Sequence, residues 1–134
     1  MASAFSTAVL LRSAQTDGAI SVVDNTLPPH WDGPPLHHHA FDETFYVLAG
    51  EITFQVREEL VTAGPGELVF VPGGVAHAFT NRGDAPARFL LTCTPARFER
   101  HFARRAADAE GVDPPAWAMQ PIPSVTKVGP PLGG

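Results

Sequence analysis

At 134 residues the chain has room for one domain with a real hydrophobic core, and no second domain of ordinary size. Its 44% hydrophobic and 17% charged residues belong to a globular protein rather than a disordered one. A net charge of −5, with a single lysine (Lys127), excludes a phosphate-tracking nucleic-acid surface, and no apolar run approaches the ~20 residues that cross a bilayer.

The opening MASAFSTAVLLR has no basic region ahead of its apolar stretch, so it does not read as a signal peptide. The one cysteine, Cys93, excludes an internal disulfide and a Cys-rich zinc site, and it suits a reducing cytoplasm. Within the opening, the apolar segment 5–11 is the candidate surface for pairing with a second copy. From residue 20 to 93 the chain reads as short strands broken by turns. Residues 20–23 form a first strand, and a proline- and glycine-rich stretch runs from Leu27 to Pro35. Residues 44–48 form a β-branched and aromatic run ending at Gly50. Ile52, Phe54 and Val56 then alternate with polar residues, the period of a half-buried strand. Further strands are expected at 68–71, 76–80 and 88–92, separated by the Pro72-Gly73-Gly74 and Asn81-Arg82-Gly83-Asp84 turns. Short, regularly spaced strands without intervening helices predict an all-β antiparallel sandwich or barrel over residues 1–95.

One helix is expected over 96–110. Thr94 is placed to cap it, Pro95 takes its first position, and Phe98, Phe102, Ala106 and Ala109 form its inward stripe. The tail, 111–134, carries six prolines, enough to oppose regular structure, although Trp117, Ile122 and Val125 offer apolar anchors.

Four of the six histidines lie between His30 and His39. On a strand, alternate residues face the same way, so His37 and His39 point together and His38 points away. Glu43 shares their parity unless the chain bends between His39 and Glu43. His77 lies on a later strand. Three imidazoles and one carboxylate meeting in a barrel would hold a divalent first-row ion rather than calcium or a thiolate cluster. Phe45 and Val47 continue the parity of Glu43, and Phe79 follows His77 by two, so these apolar residues are candidates for a substrate pocket as well as for the core.

Between Pro35 and Asn81 the sequence resembles the cupins. The first cupin motif is met by His37-x-His39, Glu43 and Gly50, and the second by Gly66, Pro72, Gly74, His77 and Asn81. The glycine expected at the head of the first motif would fall at Trp31, with Gly33 the nearest glycine. The resemblance implies a cupin-type jelly-roll β-barrel with a C-terminal helix and a Pro-rich tail. It also implies one divalent transition metal (Fe, Mn, Ni, Co, Cu or Zn) bound by His37, His39, Glu43 and His77, and a homodimer. The run from Phe41 to Glu51 is most similar to small single-domain cupins of the quercetin 2,3-dioxygenase type. That likeness implies an oxidoreductase using O₂ on a small aromatic or enol-type substrate, with Glu43 as ligand and catalytic base. Two alternatives stand beside it: a metal-dependent isomerase or decarboxylase of a small acid, which would want Arg57 or Arg88 inside the barrel, and a non-catalytic binder of a small molecule.

Overall fold

A computed structural model describes residues 5–133. Residues 1–4, at the start of the segment read as lacking a signal peptide, and residue 134, at the end of the tail, lie outside the described residues.

Among the described residues, ten strands form two five-stranded antiparallel sheets. In chain order they are β1 (Ser6–Leu11), β2 (Ser21–Leu27), β3 (Pro35–His39), β4 (Asp42–Ala49), β5 (Ile52–Val56), β6 (Glu59–Ala63), β7 (Leu68–Val71), β8 (His77–Thr80), β9 (Ala87–Thr94) and β10 (Val125–Pro131). The first sheet runs β1-β2-β9-β4-β7 and the second β10-β3-β8-β5-β6. Chain neighbours thus often lie in different sheets, which is the jelly-roll wrapping. Side-chain alternation faces Val23, Leu27, Phe45, Val47, Phe89 and Leu91 of the first sheet toward Ile52 and Phe54 of the second, giving one core. The two sheets carry the expected jelly-roll without closing into a continuous barrel among the described residues.

Among the described residues, two α-helices flank the sheets, α1 (Ser13–Thr16) and α2 (Glu99–Glu110). The expected helix therefore exists but begins later. Thr94 is still in the sheet, paired with Asp42, and Arg97 holds a left-handed φ of 121° that no helix residue adopts. Its buried stripe is Glu99, Phe102, Ala103 and Ala107; Ala106 is half-buried and Ala109 exposed, so the stripe is rotated from the one expected.

The tail also departs from expectation. A 3₁₀ turn over Ala116–Met119 buries Ala118 completely, and β10 joins the second sheet beside β3. The six prolines do not forbid this, because β10 is an edge strand, where a missing N–H faces outward, and its first five residues contain none. Arg104 donates to the carbonyls of Ala118 (2.6 Å) and Gln120 (2.7 Å), and Arg100 to that of Pro121 (2.7 Å), so helix arginines fasten the tail.

Candidate metal centre

The centre is assembled from both sheets. His37 and His39 stand on β3, Glu43 on β4 and His77 on β8, where it pairs across the ladder with His37. One candidate ligand atom from each of the four residues lies within 4.8 Å of every other. His39, Glu43 and His77 are buried, at 4%, 4% and 1% exposure, while His37 is only half-buried and marks the open side. His38 is not in the cluster, as strand parity requires.

The loops explain how the two sequence motifs meet. Asp42 accepts the Gly73 N–H (2.7 Å) and His39 O accepts that of Gly74 (2.7 Å), docking the turn before His77 against the end of β3. At the far end, Trp31 and Asn81 exchange backbone hydrogen bonds of 3.0 and 3.1 Å. The Asn81 side chain is buried and donates to the carbonyls of Pro28 and Ala85, so it ties down turns and does not reach the ligands. Gly33 replaces the missing motif glycine in a physical sense. Its φ is +88°, and a Cβ there would lie 1.8 Å from the Phe79 carbonyl oxygen.

Each ligand histidine is held by its other nitrogen. Nδ1 of His37 donates to Pro35 O (2.6 Å), that of His39 to Phe41 O (3.0 Å) and that of His77 to Val75 O (2.9 Å). A carbonyl only accepts, so the Nδ1 atoms carry the protons and Nε2 is left bare in each neutral ring. Yet Nε2 of His39 and of His77 lie 2.7 and 2.9 Å from Glu43 Oε1. Lone pairs facing one another that closely require a positive species at the site, either added protons or a metal ion. Neighbouring ligands at about 2.1 Å from a first-row ion would stand about 3.0 Å apart at right angles, which fits these separations. The donor set therefore fits a divalent ion held by His37, His39, Glu43 and His77, with carbonyls orienting the imidazoles.

Without a metal, burial opposes ionisation of Glu43, but the hydrogen bonds with His39 and His77 outweigh it and hold its carboxyl at about 2. Burial lowers His37 to about 4, helped by His77 and opposed by the hydrogen bond to Pro35. Both shifts favour deprotonated, ligand-ready groups.

Sequence reasoning missed three neighbours. Phe41 stacks flat on His39, with centroids 3.7 Å apart, and Phe98 packs on Phe41 at 5.0 Å. Cys93, paired with Glu43 across β4 and β9, directs its thiol at Glu43 Oε2 (3.9 Å). Burial, and next the Glu43 charge, push that thiol well above its ordinary range, so it stays neutral. β10 pairs Val125 with His39 and Lys127 with His37, so the ligand strand has a neighbour on both sides. Phe41 lies two residues before Glu43 and shares its parity, whereas Phe98, Cys93 and β10 reach the centre through long-range contacts. Of the expected pocket residues, Phe45 (1% exposed) and Val47 (0%) sit in the core, and Phe79 is half-buried against Trp31, Phe45 and Phe89. Arg57 and Arg88 are exposed, and Arg88 pairs with Asp24 on the outer face.

Comparison with known proteins agrees with this architecture. The chain is 33% identical over 84 residues to "Endoribonuclease YbeY" of Myxococcus xanthus, covering 63% of this chain and 28% of that protein. It is 35% identical over 60 residues to "Tetracenomycin polyketide synthase protein TcmJ" of Streptomyces glaucescens, covering 44% and 40%. The matched stretch is thus less than half the length of either relative. Among solved structures, a predicted oxalate decarboxylase from Thermotoga maritima superposes with a TM-score of 0.62 at 28% identity, covering 68% of this chain and 80% of that one. The cupin domain family matches residues 24–93, more than half of the chain, and the protein belongs to that family.

Proposed function

We propose that the protein is a metal-dependent cupin enzyme acting on a small aromatic or enol-type molecule, with O₂ as co-substrate in a dioxygenase reaction. The observation that supports it is the N₃O donor set, whose three imidazoles are each fixed by a backbone carbonyl. When bound, a divalent first-row ion supplies Lewis acidity and an open position for substrate or O₂. His37, His39, Glu43 and His77 hold it. Glu43 is the ligand and the proton acceptor for the substrate hydroxyl; the proton enters at an oxygen now shared with His39 and His77, so acceptance requires those contacts to loosen. Substrate enters beside His37, the least buried ligand, where half-buried Phe79 offers an apolar face; Phe45 packs behind Phe79, and Val47 stays in the core.

Two further observations favour an aromatic or enol substrate over a small polar acid. Arg57 and Arg88, the cations an acid would need, stand on the surface. The matched relative TcmJ is named as a tetracenomycin polyketide synthase protein. The decarboxylase alternative is favoured by the Thermotoga maritima structure, whose description names oxalate. The proposal extends to a cytoplasmic homodimer in which β1, an edge strand with Leu10 at 55% exposure, contributes to the contact.

The test is O₂ consumption by fully metallated protein with a panel of flavonols and other enediols, and with oxalate as the contrast. Uptake matched to loss of an enediol is expected. Substrate loss without uptake would move the reading to non-oxidative chemistry, and no turnover of any substrate would leave a binding protein.

A further inference from the structure

A second concave site lies outside the sheets, where α1, the loop from β9 to α2 and the 3₁₀ turn of the tail meet. It is a cleft of about 320 Å³ whose walls include Arg12, Arg97, Arg100, Trp117, Gln120 and Asp17. It shares no residue with the metal centre. Three of the nine basic residues of a chain with net charge −5 are gathered here, against one carboxylate.

The arginines are not neutralised by other side chains. Among the described residues, none of the ion pairs involves Arg12, Arg97 or Arg100. Arg12 lies over the Trp117 ring, 4.9 Å from its centroid. Arg100 uses two of its five N–H donors on Pro121 O (2.7 Å) and Gln120 Oε1 (3.0 Å). Arg97 is held at φ 121°, a conformation that costs a non-glycine residue energy and recurs where a side chain must be aimed. The device that holds it is Glu99, fully buried, whose carboxylate accepts the N–H of Arg97 (2.6 Å) and of Ser13 (2.5 Å). One buried side chain thus fixes two walls of the cleft, and the Ala96 N–H to Gly18 O bond (3.0 Å) fastens them again.

We propose that this cleft binds a small organic phosphate monoester. Three guanidiniums outnumber the Asp17 carboxylate on the wall and the buried Glu99 carboxylate behind it, and their N–H donors match the three terminal oxygens of a phosphate monoester better than the two of a carboxylate. Guanidinium forks fit phosphate oxygens, and Trp117 offers a wall for the organic body. The volume falls at the small end of the roughly 300–1,000 Å³ typical of small-molecule sites.

The test is calorimetric titration of the full-length metallated protein with phenyl phosphate. Saturable binding is expected, weakened about tenfold or more in Arg97→Gly and in Arg12→Ala, with metal content unchanged in both. Glycine accepts the φ of position 97 without strain, so the first variant removes the guanidinium and keeps the fold. Arg82→Ala, in an exposed turn, leaves the affinity unchanged. The proposal is overturned by the absence of saturable binding up to about 10 mM, by equal affinity in Arg97→Gly, or by benzoate binding as tightly as phenyl phosphate. It is equally overturned if His77→Ala, rather than Arg97→Gly, abolishes binding, because the anion would then sit at the metal centre.

Discussion

His37, His39 and His77 each turn Nδ1 toward a carbonyl two residues away in their own chain segment, and this leaves Nε2 as the atom free to take a metal. The local rule is visible only once strand ends are known, whereas the alternation that groups His37 with His39 and sets His38 aside is legible directly. The depressed Glu43 and His37 values carry a pH prediction for the metal-free protein. Both groups bind fewer protons folded than unfolded, so stability rises with pH between their folded and ordinary values. For His37 that window runs from about 4 to 6.5, and for Glu43 from about 2 to 4.5. The denaturant midpoint should therefore fall continuously as pH drops from 6.5 toward 2, and His37→Gln should flatten the upper part of that curve. A midpoint insensitive to pH in the wild type would contradict the buried charge arrangement. Gly33 gives a steric prediction at the same scale. Gly33→Ala places a methyl against the Phe79 carbonyl at a left-handed φ and should cost about 3 kcal/mol or more by denaturant unfolding.

Among the elements, α2 and the tail show where reading the sequence ends. The stripe through Phe102 is legible, and Phe102→Ala should destabilise by roughly 3–5 kcal/mol, measured by chemical denaturation, because the ring is 7% exposed in the core. The start of α2 is not legible, because Thr94 looks like a cap until its pairing with Asp42 is known. β10 is hidden for a related reason: its partner lies some 90 residues earlier, and local composition carries no trace of a pairing at that distance. Since β10 covers the edge of β3, removing residues 125–134 should speed amide exchange at His37–His39 and reduce metal retention. Unchanged exchange there would mean that β10 does not support the ligand strand.

For the whole molecule, the jelly-roll and its centre are legible together because the motif residues lie where turns and ligands must be. Gly50 and Gly66 take left-handed φ values, the Pro72-Gly73-Gly74 turn docks on β3, and His77 completes the cluster from another strand. What the sequence leaves hidden is contributed by long-range pairings within each sheet: Cys93 beside Glu43 in the first, and the tail beside β3 in the second. Four residues from three strands are placed to hold one metal ion. Metal analysis of natively purified protein beside the His77→Ala, Glu43→Ala and His38→Ala variants puts this arrangement to the test. About one ion per folded chain is expected in the wild type and in His38→Ala, with occupancy falling well below half in His77→Ala and Glu43→Ala. Full occupancy in His77→Ala, or equal loss in His38→Ala, would contradict the account.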